Sequence, residues 1–176
     1  MTGGNVFLVG MMGAGKSTVG RLLARRLRLR FMDSDLEIEA RCGVKVPVVF
    51  EVEGEAGFRA REEQVIDELS ALGGVVLATG GGAILAEDSR RRLAERGTVV
   101  YLRARPEDLY RRVRHDRNRP LLATPDPLAR LRELHAQRDP LYRSIAHLVL
   151  DTGTQSVQAL ARELIDRLEE RWKASA

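Results

Sequence analysis

Residues 10 to 17 read Gly10-Met-Met-Gly-Ala-Gly-Lys-Ser17 and follow directly on the apolar run 6–9. This stretch matches the pattern G-x-x-x-x-G-K-S/T, in which glycines let successive backbone N–H groups curl around a phosphate and the next helix adds positive charge at its N-terminus. The sequence therefore predicts a strand, a phosphate-binding loop and a helix, in that order. A glycine-rich turn that binds no nucleotide is the alternative, and the position of the motif between a strand and a helix disfavours it.

Lys16 and Ser17 carry the chemistry that such a loop needs. Only three of the 29 basic residues are lysines, which indicates that a compact ammonium group is required at position 16. In loops of this kind the lysine reaches the β- and γ-phosphate oxygens of ATP, and the hydroxyl coordinates Mg²⁺. We therefore predict ATP and Mg²⁺ as cofactors, with nucleotide contacts from Gly13, Ala14, Gly15, Lys16, Ser17 and Thr18.

Short apolar runs alternate with charged stretches of helical period along the chain, which is typical of an α/β fold. Their near-continuous apolar character suits a parallel sheet covered by helices on both faces, which gives a three-layer architecture. The predicted strands are 5–9, 30–32, 75–78, 98–102 and 147–150. The predicted helices are 16–29, 55–72, 88–96, 106–113, 127–144 and 156–172, and Pro140 is expected to break or kink the fifth.

Length and composition predict one compact domain over residues 1–176, with 44% apolar and 31% charged residues. Cys42 is the only cysteine, which excludes an internal disulfide and a site of clustered thiolates. The first apolar run ends at Gly10, too early for a signal segment or a membrane span, so we expect a cytoplasmic protein without a membrane partner. Residues 114–126 include two prolines and show no periodicity, and we predict a mobile lid there.

The second acid that most P-loop proteins use for Mg²⁺ is absent after the third predicted strand, which runs into Thr79-Gly-Gly-Gly82. Asp33 and Asp35 follow the second predicted strand instead. If that strand lies beside the first, both carboxylates point to the carboxyl edge of the sheet, so one can serve the metal and the other the substrate. Capping of a helix N-terminus is the alternative role, and both roles are compatible.

The glycine run 80–82 offers a backbone edge without side chains, which suits the close approach of a ligand. A flexible turn has the same composition and is the alternative. Three arginines, Arg59, Arg119 and Arg138, cannot be distinguished from solvated surface arginines by composition or periodicity.

Seven sequence blocks, taken in order, form a specific combination. They are Gly10-Met-Met-Gly-Ala-Gly-Lys-Ser-Thr18, Phe31-Met-Asp-Ser-Asp35, Phe50-Glu-Val-Glu-Gly-Glu55, Gly57-Phe-Arg59, Thr79-Gly-Gly-Gly82, Arg119-Pro-Leu-Leu122 and Arg138-Asp-Pro-Leu-Tyr142. The P-loop is shared by many families, whereas the ordered set of the other blocks is not. The combination resembles the shikimate kinase family, and the resemblance runs from residue 5 to about residue 168.

The resemblance implies a five-stranded parallel sheet of the nucleoside-monophosphate-kinase type, a substrate-binding region of helices near residues 34–62, and a lid near 114–126. It implies ATP-dependent phosphorylation of the 3-hydroxyl of shikimate, a step in aromatic amino-acid biosynthesis. Cys42 and Pro47 depart from the residues expected at their positions, which leaves the local helix geometry open but not the chemistry.

The resemblance also assigns roles to individual residues. Lys16, Asp35 and Arg119 are implied as catalytic, with Asp35 at the acceptor hydroxyl and Arg119 reaching the phosphates from the lid. Ser17 and Asp33 are the implied metal ligands. The implied substrate contacts are Asp35, Arg59, Gly80, Gly81, Gly82 and Arg138, the two arginines holding the shikimate carboxylate, and Arg112 is implied to flank adenine.

Three competing functions follow from the same residues. Another P-loop kinase, acting on gluconate or a nucleoside monophosphate, needs the same ATP half-site, but the blocks at 57–59 and 138–142 favour shikimate. A regulatory module that binds ATP or shikimate without turnover is disfavoured because no motif residue is missing. A nucleic-acid binder is supported only by the net charge of +4, and 5% aromatic residues provide no stacking platform for bases. We expect a monomer whose partners are shikimate and ATP, with no nucleic acid.

Overall fold

The computed structural model describes residues 4–176 and contains one sheet of five parallel strands. Every predicted strand is present, with each bound shifted by one residue at most. The α/β fold with a five-stranded parallel sheet is therefore confirmed. The strands are β1 (Val6–Val9), β2 (Arg30–Asp33), β3 (Val75–Ala78), β4 (Thr98–Arg103) and β5 (Leu148–Asp151), in the spatial order β2-β3-β1-β4-β5.

β2 does not lie beside β1, as the sequence-based prediction assumed, because β3 lies between the two strands. β1 and β3 are buried along their whole length, whereas Arg30 is exposed and the rest of β2 is only half-buried. This burial pattern fits an edge strand. The register pairs Asp33 with Ala78, so the acidic segment after β2 still lies at the carboxyl edge of the sheet, next to the glycine run that follows β3.

The helices cover both faces of the sheet, as the complete burial of β1 and β3 requires. α1 packs against α7 and β3, while α4 packs against α3 and α6. Within residues 4–176 the helices are α1 (Lys16–Leu27), α2 (Ser34–Cys42), α3 (Val46–Ser70), α4 (Glu87–Arg96), α5 (Pro106–Val113), α6 (Pro127–Ile145) and α7 (Val157–Ala174), with 3-10 turns at Ala83–Leu85 and Pro120–Leu122.

Several helices differ from the periodicity-based prediction: α2 was not predicted from periodicity, α7 runs two residues further, and α1 and α3 differ at one or both ends. α1 ends two residues early because Arg28 adopts a left-handed conformation (φ 57°) and donates its N–H to the Ala24 carbonyl. α3 starts at Val46, with Pro47 in its first turn, where proline is well tolerated. Gly54 (φ 70°, ψ 178°) interrupts the helical geometry of α3, and the predicted start of this helix at residue 55 corresponds to that interruption.

α6 continues through Pro140, so of the two expected outcomes, a break or a kink, the break is wrong. A proline inside a helix removes one backbone hydrogen bond. Buried side chains on both sides of Pro140, including Leu134, Arg138 and Tyr142, hold the helix against the rest of the molecule. None of the helices in the described part of the chain combines the length and apolarity needed to cross a bilayer.

Candidate active site

The loop between β1 and α1 has the backbone conformation that its glycines predict. Gly10, Gly13 and Gly15 all have positive φ angles, of 147°, 80° and 92°. A Cβ atom on Gly10 would lie 2.5 Å from the Leu102 carbonyl oxygen, so a larger residue would not fit. Gly15 caps α1 without a side-chain acceptor, which leaves the first N–H groups of the helix available to an anion.

Lys16 is a buried cation whose hydrogen-bond partners are neutral. Its Nζ donates to the carbonyl oxygens of Gly10 at 2.6 Å and Met11 at 2.9 Å. Burial lowers the pKa of Lys16 to about 8, and the nearby carboxylate of Asp35 opposes this change. A phosphate in the loop would supply the negative charge that this ammonium group lacks.

Asp33 joins the phosphate loop to the N-terminus of α2. One of its carboxylate oxygens accepts from the Ser17 hydroxyl at 2.5 Å, and the other accepts from the N–H groups of Asp35 and Leu36 at 3.0 and 3.1 Å. The capping role is therefore present, and it leaves one oxygen directed at Ser17. A hydroxyl and a carboxylate oxygen beside a phosphate loop fit Mg²⁺, which is commonly bound by one or two protein oxygens together with substrate phosphates.

Asp35 directs a carboxylate into the site, and no residue of the described chain donates to its buried oxygen. Its Oδ1 atom is buried and accepts no hydrogen bond from residues 4–176. Burial and the neighbouring Asp33 carboxylate raise the pKa of Asp35, while Lys16 and Arg119 act in the opposite direction. A buried acceptor of this kind is suited to a hydroxyl group of a ligand.

The glycine run after β3 is required by space, because three functional side chains occupy the positions that Cβ atoms would take. A Cβ atom on Gly80 would lie 2.5 Å from Glu62 Oε2 and 2.7 Å from Asp35 Oδ1. On Gly82 it would lie 2.3 Å from Arg59 Nη1.

The run is also held in place by hydrogen bonds. Gly80 N–H donates to the buried Ser34 hydroxyl at 2.9 Å, and the Tyr142 hydroxyl donates to the Gly81 carbonyl. These contacts disfavour the alternative of a flexible turn.

Arg138 is a buried guanidinium without an acidic partner among residues 4–176. Only 2% of it is exposed, and the nearby acids pair with other residues: Asp139 with Arg143, and Glu62 with Arg59. Burial and the adjacent positive charge of Arg59 lower the pKa of Arg138. Two neighbouring guanidinium groups facing one pocket are the complement of a planar anion.

Glu62 is a site residue that the sequence reasoning missed. It is 2% exposed, accepts from Arg59 Nη1 at 2.7 Å and leaves Oε2 without a partner among residues 4–176. Burial raises the pKa of Glu62 to about 7, with Arg59 opposing and Asp35 adding to the change. The only signal in the sequence was that Glu62 lies one helical turn after Arg59. Ion pairs on an exposed helix surface have the same spacing, so this signal does not identify a site residue.

Asp35, Arg59, Glu62 and Arg138 line one pocket of about 410 Å³, whereas Lys16 lies in the phosphate loop beside it and does not line it. Arg119 lines the same pocket from segment 114–126, where its Nε donates to Asp116 at 3.1 Å. The pocket thus brings together Ser17, Asp33, Asp35, Arg59, Gly80, Gly81, Gly82, Arg119 and Arg138.

Arg112 lies apart from this pocket, on the other side of the phosphate loop. Its guanidinium donates to the carbonyl oxygens of Gly13 at 3.1 Å and Gly153 at 3.3 Å. It lines a second cavity of about 730 Å³, together with residues 152–154. Both cavities therefore adjoin the phosphate loop: Met12 and Ser17 line the first, and Gly13 accepts from Arg112, which lines the second. Two cavities that meet at a phosphate loop suit two substrates that react through a phosphate.

The fold and this two-sided site define a P-loop kinase of small molecules. The family model described as shikimate kinase matches residues 12–169. The chain is 64% identical to the shikimate kinase of Ralstonia nicotianae, over 96% of this chain and 89% of the relative. It is 60% identical to that of Thiobacillus denitrificans, over 94% and 90%. The chain belongs to the shikimate kinase family.

Solved structures agree with this assignment. The shikimate kinase from Acinetobacter baumannii in complex with shikimate superposes with a TM-score of 0.95 at 46% identity, over 97% of this chain and 95% of that one. A gluconokinase from Sinorhizobium meliloti reaches a TM-score of 0.63 at 18% identity, over 99% of both chains, which shows a shared fold alone.

Proposed function

We propose that the chain transfers the γ-phosphoryl group of ATP to the 3-hydroxyl of shikimate, as a cytoplasmic monomer in aromatic amino-acid biosynthesis. The observation that carries this proposal is the buried Arg138 guanidinium, which lacks an acidic partner within the described chain and lines the same pocket as Asp35 and Ser17 of the phosphate loop. The family membership and the related enzyme solved with shikimate support the choice of substrate.

The carboxylate of shikimate binds between Arg138 and Arg59 in this proposal. Arginines recognise planar carboxylates through paired hydrogen bonds, which fix orientation as well as supplying charge. The glycine run leaves room for the ring because it carries no side chains. A rigid ring held in this way presents one hydroxyl to Asp35.

The phosphates of ATP bind in the loop, with Lys16 at the β- and γ-oxygens and backbone N–H groups of residues 13–18 around them. Ser17 and Asp33 would hold Mg²⁺, which neutralises phosphate charge when bound. Arg112 and the cavity at 152–154 would receive the adenine ring.

Asp35 orients the acceptor hydroxyl and takes its proton as the oxygen bonds to the γ-phosphorus and the bond to the β–γ bridging oxygen breaks. Phosphoryl transfer has a loose transition state, so positioning and charge neutralisation contribute more than strong base catalysis. Lys16 and Arg119 meet the charge that develops on the leaving oxygen. Closure of segment 114–126 would exclude water as a competing acceptor.

The proposal is tested by measuring ADP release with shikimate, gluconate and nucleoside monophosphates as acceptors. Turnover with shikimate is expected, and activity confined to another acceptor would refute the proposal. Arg138→Lys keeps the charge but loses the planar fork, so it should raise the shikimate KM far more than the ATP KM. Arg143→Lys, one turn further along α6 and exposed, is the matched control and should change neither value.

A further inference from the structure

Tyr142 is a fully buried tyrosine whose hydroxyl contacts the glycine run. It lies on α6 one turn after Arg138, it is 0% exposed, and its hydroxyl donates to the carbonyl oxygen of Gly81. Its ring packs against that of Tyr101, with the centroids 4.9 Å apart. The mechanism described above uses Arg138 from the same sequence block but gives Tyr142 no role.

Arg138 and Tyr142 approach the same glycine. A Cβ atom on Gly81 would lie 3.4 Å from Arg138 Nη1, so the guanidinium rests directly on this residue. The guanidinium is also close enough to the phenol to oppose the increase in pKa that burial causes at Tyr142. The hydroxyl therefore lies where α6, the guanidinium and the glycine run meet.

The glycine run also presents free donors at this point. Gly81 and Gly82 do not donate their N–H groups to any residue within 4–176, whereas Gly80 donates to Ser34 and Ala83 donates to Gly80. The Gly81 carbonyl, held by Tyr142, fixes the peptide plane from which the Gly82 N–H projects. The hydroxyl thus fixes the residue on which the Arg138 guanidinium packs and sets the direction of a neighbouring donor.

Packing alone does not account for this hydroxyl. A phenylalanine ring would fill the same space and would not require a buried polar partner. Tyr101 provides an internal comparison, because it is 1% exposed and its hydroxyl donates at 2.7 Å to Asp139, outside the glycine run.

We propose that Tyr142 is a positioning residue for the substrate carboxylate, whose hydroxyl fixes the Gly81 carbonyl and so holds the Gly82 N–H group beside the Arg138 guanidinium that packs on Gly81. This inference rests on the proposed function, since it assumes that Arg138 receives the carboxylate. Tyr142 acts through Arg138 and the glycine run and does not touch the phosphates.

The first test compares Tyr142→Phe with Tyr101→Phe. Each variant loses one buried hydroxyl and keeps its ring in the same stack, so both should melt at similar temperatures. Tyr142→Phe leaves the Gly81 carbonyl without its partner and should raise the shikimate KM about tenfold while the ATP KM stays within twofold. Tyr101→Phe should leave both KM values within twofold. An unchanged shikimate KM in Tyr142→Phe, or an equal rise in Tyr101→Phe, would overturn the inference.

The second test is a double-mutant cycle with Arg138→Lys. Because Tyr142 is proposed to act through Arg138, the effect of Tyr142→Phe on the shikimate KM should shrink to less than about threefold in the Arg138→Lys background. Fully additive effects would contradict the inference. If Arg138→Lys alone left the shikimate KM unchanged, the proposed function would fail; a change in Arg138→Lys without one in Tyr142→Phe would remove only the inference.

Discussion

The hydroxyl of Ser17 donates to the carboxylate of Asp33 at 2.5 Å and so connects the phosphate loop to the acidic N-terminus of α2. The same carboxylate caps α2 through its second oxygen. One side chain thus combines a structural and a proposed metal-binding role, and a suitable substitution can separate the two.

Asp33→Asn is expected to separate these roles. Asparagine caps helices about as well as aspartate, so the free energy of unfolding should change by less than about 1 kcal/mol. A neutral amide binds Mg²⁺ more weakly, so the Mg²⁺ concentration for half-maximal activity should rise about tenfold or more. Magnesium titrations and thermal melts measure the two effects. Asp33→Ala should lose both functions, and an unchanged magnesium requirement in Asp33→Asn would leave Asp33 with the cap alone.

A pH-dependent stability is expected from Glu62. Its pKa is about 7 in the folded chain against 4.5 for an ordinary glutamate, so the folded state holds the proton more tightly than the unfolded state. The resulting stabilisation is present below pH 4.5 and is lost as the pH rises through about 7. It corresponds to about 3 kcal/mol, since each pKa unit is worth about 1.4 kcal/mol.

Denaturant unfolding between pH 4.5 and 8 provides the measurement. Glu62→Gln keeps an acceptor for Arg59 but cannot titrate, so the difference in unfolding free energy between this variant and the parent should change by about 3 kcal/mol across that range. Glu51 is exposed on the same helix, so the unfolding free energy of Glu51→Gln should depend on pH in the same way as that of the parent. Parallel curves for Glu62→Gln would mean that the carboxyl group titrates normally.

Much of the fold and about half of the site could be predicted because the signals are local. The strands are continuous apolar runs, and the phosphate loop is one uninterrupted motif. Asp33 and Asp35 are visible because they end a strand. The order of β2 and β3 could not be predicted, since it depends on which strand tolerates an exposed edge.

The rest of the site depends on burial. Glutamate and arginine usually lie at the surface, and only tertiary packing buries Glu62 and Arg138. The family resemblance identified Arg138 as a site residue, whereas the periodicity of α6 did not. Gly80 and Gly82 illustrate the same limit, because they adopt ordinary φ angles and are required by the side chains of Asp35, Glu62 and Arg59.

Alanine in the glycine run should affect binding and turnover separately. Gly82→Ala places a methyl group where Arg59 lies, and this flexible side chain can move away, so the chain should fold while the shikimate KM rises about tenfold or more. Gly80→Ala displaces Asp35 and Glu62 and should lower kcat by about 10²-fold. Gly73→Ala, where a Cβ atom meets nothing within 4 Å, is the control for the substitution itself. Steady-state kinetics with both substrates measure these effects. If Gly80→Ala and Gly82→Ala changed kcat and the shikimate KM in the same way, the separate roles given to Asp35 and Arg59 would be contradicted.

Arg119 is expected to act mainly in the transition state. It lines the pocket from segment 114–126 and is held by Asp116 of the same segment, while the substrate carboxylate is proposed to bind at Arg138 and Arg59. Arginines supplied to phosphoryl transfer contribute about 10³-fold or more, so Arg119→Ala should lower kcat by orders of magnitude with little change in shikimate affinity. Calorimetry and single-turnover kinetics measure the two quantities. Arg117→Ala, exposed in the same segment, should retain the parental kcat.

Hydrogen exchange tests the accompanying closure of segment 114–126. The segment contains one short 3-10 turn at Pro120–Leu122 and few backbone hydrogen bonds, so its amides should exchange quickly in the free chain. ADP and shikimate together should slow this exchange, because a closed segment is needed to bring Arg119 to the phosphates and to exclude water. Each ligand alone should protect the segment less than the pair. Full protection in the free chain would mean a rigid loop, and Arg119 would then have to act from its resting position beside Asp116.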